Sequence, residues 1–192
     1  MKAHWILGMF AVAMSLLCAS SMTSADELSG HVSGLVGVKA MDSTDWPNID
    51  SHFAMGVLFD IKKDSWPVSI VLDLTDTGGK QKHDGMEDLG HTTELSFGIR
   101  KIFIKQDSKI QPYVGGGVSS IYAEQEFEMS GTTTKEDENN VGIWLGAGLY
   151  YQVKPKFVIG LDVRYSDAEA TLFDEDLEAG GIHTGLTAGF QF

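Results

Sequence analysis

Six charged residues, Asp60, Asp73, Glu94, Arg100, Asp162 and Arg164, all fall on the less apolar phase of alternating stretches of this chain. Successive strand side chains point to opposite faces, so the six share a surface that faces away from the apolar one. If that surface is enclosed, carboxylates and guanidiniums must pair, because an unpaired charge in a low-dielectric space is costly. Counting residues from the neighbouring turns predicts one level for Asp73, Glu94 and Arg164, with Arg164 bridging both acids. Asp162 lies two residues from Arg164 on the same face, and Arg100 is expected to pair with Asp60. Such a network makes a polar plug; its other use is a gated ion path.

The histidines offer a second kind of chemistry. His52, His91 and His183 sit at corresponding ends of three segments, with Asp50 and Asp76 nearby, and imidazole with carboxylate suits a transition metal. No tight ligand spacing joins them, so no metal centre is expected and the three are weak candidates. A nucleophile needs a base within hydrogen-bond reach. His183 is followed two positions on by Gly185 and His91 by Thr93, which gives no His-x-Ser pair, and the chain is not expected to be an enzyme.

Eight alternating segments must position these groups: 31–40, 51–61, 68–76, 92–100, 110–123, 141–152, 157–166 and 180–192. No stretch keeps a helical apolar period long enough to compete. The connections alternate short and long, and the segments approach the roughly 9–11 residues with which a tilted strand crosses a bilayer. Closure of an even number of strands pairs every backbone donor and acceptor, which an open sheet in lipid cannot do. The soluble alternative is a lipocalin-like barrel with large apolar residues inside and charges outside. Here the other face is rich in glycine (Gly56, Gly98, Gly115, Gly117, Gly142, Gly146, Gly148, Gly160), poor cover for a wet exterior but suited to a narrow interior. An all-β, eight-stranded antiparallel up-and-down transmembrane β-barrel is the expected fold. Aromatics near the segment ends, among them Phe53, Phe59, Tyr151, Phe157 and Tyr165, suit interfacial girdles.

Targeting agrees. Lys2 followed by the apolar run 5–17 and small residues up to Ala25 reads as a signal peptide over 1–25, too short for a spanning helix of roughly 20 residues. Cys18 leaves with it, since Leu17 is too large to precede a lipidated cysteine, and the mature chain 26–192 has no cysteine. The formal net charge of −13 argues against nucleic acid as a partner. The charge is also asymmetric. Lys62, Lys63, Lys101, Lys105, Lys109, Lys154 and Lys156 lie at the short turns, whereas Glu136, Asp137, Glu138, Asp174, Glu175 and Asp176 lie in the long, acidic connections. Carboxylates are hard oxygen ligands, so weak Ca²⁺ or Mg²⁺ binding at these loops is the one cofactor to expect.

The Pro-Tyr-Val-Gly opening of the segment at 112–115 and the terminal GLTAGFQF resemble the eight-stranded outer-membrane protein A-like and opacity-protein-like barrels. The resemblance implies the cell outer membrane of a Gram-negative bacterium, with short turns in the periplasm and long loops outside. It also implies a C-terminal aromatic signal, Phe190 and Phe192, read by the outer-membrane assembly machinery. Expected partners are outer-membrane lipid and lipopolysaccharide, and the expected state is a monomer. The chain ends with the barrel, so no peptidoglycan-binding domain is expected after it. Outer-membrane lipid A deacylases are similar in architecture but place a His-x-Ser pair on a strand, which this chain lacks. A structural or surface-interaction role is the leading expectation and a narrow porin-like channel the alternative.

Overall fold

The computed structural model describes residues 28–41, 51–83, 86–129, 132–172 and 175–192. The expected signal peptide and the first long connection, Asp50 included, lie outside them. The barrel strands are β1 (Leu28–Ala40), β2 (Ser51–Lys63), β3 (Ser69–His83), β4 (Met86–Ile102), β5 (Ile110–Met129), β6 (Thr132–Lys154) and β7 (Phe157–Asp167). Two short strands, β8 (Glu169–Leu172) and β9 (Glu175–Glu178), form a separate hairpin before β10 (Gly181–Gln191). Among the described residues, eight strands close in the order β1-β10-β7-β6-β5-β4-β3-β2, every pair antiparallel.

Alternation decides which side chains meet lipid. In β7, Val158, Gly160, Asp162, Arg164 and Ser166 are buried while Ile159, Leu161, Val163 and Tyr165 are exposed. In β10, Ile182, Leu186 and Phe190 are exposed and His183 and Thr187 buried. Val36, Val38, Leu72, Phe97, Val118 and Ile143 continue this exposed apolar surface around the wall. A continuous exterior of that kind is untenable in water and apt in a bilayer. The girdle aromatics face outward, with Phe157 edge-on to Phe190 at 5.8 Å and Phe59 stacked on Phe192 at 6.3 Å.

Closure is made by the backbone. Gly30 N–H donates to Phe192 O (2.9 Å) and Phe192 N–H to Gly30 O (3.0 Å), beyond the β1–β10 register that runs from His31↔Gln191 to Ala40↔Ile182.

The long connections differ from expectation. The stretches TGGKQKHDGMEDLG and EQEFEMSGTTTKEDENN have no apolar period and read as loops, yet pairing runs on to His83↔Met86 and Met129↔Thr132. Between them β4 and β5 stay paired as far as Glu87↔Glu128. β3 to β6 therefore form a tall four-stranded wall, while β1, β2, β7 and β10 stop at Ala40, Ser51, Asp167 and Gly181. The pattern there carries no apolar signal, and backbone pairing continues regardless.

Candidate functional site

The interior holds a belt of buried charge. Arg100 on β4 reaches three strands at once: Nη1 donates to Asp60 Oδ2 on β2 (3.1 Å) and to Tyr150 OH on β6 (3.0 Å), and Nη2 to Asp73 Oδ2 on β3 (2.9 Å). Arg164 on β7 donates through Nη2 to that same Asp73 oxygen and through Nη1 to Ser96 Oγ (3.2 Å). Asp73 Oδ1 accepts the Phe59 backbone N–H (3.0 Å), so this carboxylate is held by both guanidiniums and a neighbouring strand. Arg100, Arg164, Asp60 and Asp73 are each at most 2% exposed. Charge-assisted bonds of this density offset the desolvation that burial imposes.

Aromatic rings complete the belt. The Arg164 guanidinium lies over Trp144 (4.6 Å to the centroid) and that of Arg100 over Tyr113 (4.7 Å). His31 stacks on Tyr150 at 4.5 Å and places Nδ1 3.2 Å from Asp60 Oδ1. Tyr113 OH donates to Asp162 at 2.6 Å, which gives Asp162 a phenol for a partner. The glycines make room for this layer. Gly98 faces Gly117 across β4 and β5, and a Cβ on Gly117 would lie 2.6 Å from Gly98 Cα. Trp144, opposite Gly117 in register, spans the gap with Nε1 on Phe97 O at 3.2 Å and its ring edge against Gly115.

Glu94 departs from expectation. Arg164 meets it through Ser96, whose Oγ donates to Glu94 Oε1 at 2.9 Å. Asp73 is level with Ser96 in register and Glu94 with Thr75, so Glu94 lies two residues nearer the outer end. Counting from turns misplaced it because barrel strands are staggered around the axis. Its Oε2 instead lies 3.4 Å from His183 Nε2.

Glu94 belongs to an outer tier that sequence reasoning largely missed. Lys39 on β1 is fully buried and its Nζ donates to Thr92 Oγ1 (3.1 Å) and Ala179 O (2.8 Å). Thr92 and Thr77 share a 2.6 Å hydrogen bond, and Thr77 Oγ1 is 3.5 Å from His52 Nδ1. The available signal was Lys39 falling on the inward phase beside Gly37. Ala179 and Gly180 donate to Ala168 O (2.9 and 3.2 Å), which closes the base of the β8–β9 hairpin.

The histidines do not assemble as a metal group. His52 and His183 point inward and are buried, whereas His91 lies on the outer face, 2.9 Å from Asp76 Oδ1. Among the described residues no three His, Cys, Asp or Glu side chains converge on a metal position. The acidic residues are also placed differently. Glu136, Asp137 and Glu138 are consecutive strand residues of β6 rather than loop residues, so their side chains alternate between faces. Asp137 is exposed and Glu138 half-buried. Asp174 and the side chains of Glu136, Glu175 and Asp176 lie outside what the structure describes.

Similar folds occur among solved structures. The attachment invasion locus protein of Yersinia pestis superposes with a TM-score of 0.58 at 15% identity, covering 88% of this chain and all of that one (100%). The neisserial surface protein A gives 0.55 at 14%, covering 88% and 98%. A major outer membrane protein from Thermus thermophilus gives 0.58 at 11%, covering 88% and 100%. No curated protein sequence matches the chain. Residues 9–190 match the family model described as the outer membrane protein beta-barrel domain, and the chain belongs to that family of outer-membrane β-barrels.

Proposed function

We propose that this protein is a non-catalytic integral barrel with a structural or surface-interaction role, exported by an N-terminal signal peptide and closed to ions along its axis. One observation carries the reading: Asp73 is gripped by Arg100 from the neighbouring strand and by Arg164 from across the interior, with Trp144, Tyr113 and Tyr150 packed around them. A hydrated ion would have to displace bonded, buried groups at that level. The deciding experiment is a planar-bilayer recording on refolded protein. The native chain should give no stepwise conductance and Arg164→Ala should give measurable steps; native steps at low voltage would end this reading.

A second reading, a narrow channel, has one observation in its favour. Thr75 Oγ1, Ser119 Oγ and Thr187 Oγ1 are buried polar atoms without a protein hydrogen-bond partner. Such atoms call for water, and water in crevices above and below the belt would shorten the barrier to a single layer.

At the surface, the exposed Asp137 and its cross-strand neighbour Glu124 suit a cationic partner, or lipopolysaccharide phosphates bridged by Ca²⁺ or Mg²⁺. The Yersinia protein was crystallised with the heparin analogue sucrose octasulfate. A polyanion does not match this end of the present barrel. The expected state is a monomer, delivered by the assembly machinery through the strand carrying Phe190 and Phe192.

A further inference from the structure

The lipid-facing wall has a groove over β4, β5 and β6 near the short-turn end, about 490 Å³ in volume and lined by Val68, Ile99, Lys101, Val114, Gly116 and Leu145, with Gly115 at its floor. Its cause is local. Gly116 sits on the outward phase of β5, in register with Ile99 on one side and Leu145 on the other, so the apolar row loses one side chain there. Leu145 leans toward the gap, its Cδ2 2.9 Å from where a Gly116 Cβ would lie. Nothing inside the barrel requires this omission, because Gly116 faces outward.

At the turn end of the groove stands the only charged group in its lining. Lys101 Nζ donates to Pro67 O at 2.6 Å, which fixes the exposed ammonium at the mouth and leaves two N–H donors. Lys105 and Lys109 in the adjoining β4–β5 turn add positive charge against Asp107. We propose that this groove is a binding site for one phospholipid of the inner leaflet, an acyl chain lying over Gly116 and the phosphate held by Lys101. The volume falls within the ~300–1,000 Å³ usual for small-molecule sites, and a lysine at bilayer depth snorkels to the phosphate level. A second copy of the chain fits less well. A two-fold contact on this groove would bring two Lys101 ammoniums together with no carboxylate in the lining to separate them. An anionic headgroup is favoured over a zwitterionic one, whose own ammonium competes with Lys101. The site rests on the membrane placement of the barrel and is independent of whether the interior conducts.

Native mass spectrometry of refolded protein titrated with phosphatidylglycerol, and separately with phosphatidylethanolamine, tests this. Heat-modifiable electrophoretic mobility verifies that each variant is folded. The native chain should retain one phosphatidylglycerol in preference to phosphatidylethanolamine. Lys101→Gln should weaken retention about fivefold, the worth of one lysine at a lipid surface. Val114→Phe should abolish retention by filling the groove from outside, and Lys156→Gln, at the same barrel end, should leave it unchanged. Equal retention by all four proteins overturns the proposal. So does loss with Lys101→Gln but not with Val114→Phe, which would leave rim charge without a groove. A dimer mass that Val114→Phe removes would assign the groove to a second copy and equally overturn it.

Discussion

The ammonium of Lys39, buried at the outer end of β1, holds the backbone carbonyl of Ala179 at 2.8 Å and Thr92 Oγ1 at 3.1 Å, tying the β7–β10 connection to the strand beside β10 and to β4 across the barrel mouth. A buried carbonyl that loses its donor carries a penalty of about 1–3 kcal/mol. Lys39→Met should therefore release this connection while leaving the strands paired. Hydrogen exchange is the readout: the Ala179 and Gly180 amides, which donate to Ala168 O, should lose protection far more than the amides of β7 or β10. Unchanged protection there would show that the lysine tethers nothing.

The two interior arginines should differ in cost. Arg100 serves Asp60, Asp73 and Tyr150, whereas Arg164 serves Asp73 and Ser96. Removing one partner of a buried pair costs about 3–5 kcal/mol. Arg100→Ala should fall at the upper end of that range and Arg164→Ala at the lower. Because both act on Asp73, the double variant should not be additive. Urea unfolding of the barrel in lipid vesicles measures all three; strict additivity would mean that the two do not share the carboxylate.

Gly117→Ala tests the glycine floor. Its new methyl would meet Phe97 O and lie 2.6 Å from Gly98 Cα, both backbone atoms that cannot step aside. Overpacking of this kind costs about 1–3 kcal/mol. The Trp144 indole bond to Phe97 O should weaken with it, giving a shifted tryptophan emission. A variant as stable as the native chain, with the same emission, would show that the close approach is incidental.

Phe192 makes both backbone bonds to Gly30 and places its ring on Phe59. Replacing it with Asp should lower the amount inserted in the outer membrane and raise periplasmic degradation, whereas Phe192→Tyr should insert normally. Fractionation and protease protection give the answer. Full insertion of the Asp variant would separate the aromatic residue from assembly.

The inward and outward phases of all eight barrel strands were legible because lipid on one side and a packed interior on the other impose opposite demands on alternate residues. Individual partners were not. Asp60–Arg100 followed from closeness along the strands, but Glu94 missed Arg164 because stagger between strands leaves no mark in any single strand. Lys39 falls on the inward phase of its segment, but its acceptor, a backbone carbonyl 140 residues away, leaves no side-chain signal in the sequence. Strand continuation past Thr77 and Glu124 was hidden for a different reason: a ladder held by backbone pairing needs no apolar period.

That continuation makes the barrel lopsided. β3 to β6 stand above the mouth on one side as a paired sheet, and the other strands end at the rim. The tall side has already lost most of its conformational entropy to cross-strand hydrogen bonds, so a partner docking there meets a preorganised surface and has little ordering cost to overcome. It also removes the rotational equivalence of the cylinder. A bulky molecule approaching in the plane of the membrane from the β3–β6 flank would meet this paired sheet before it reached the mouth.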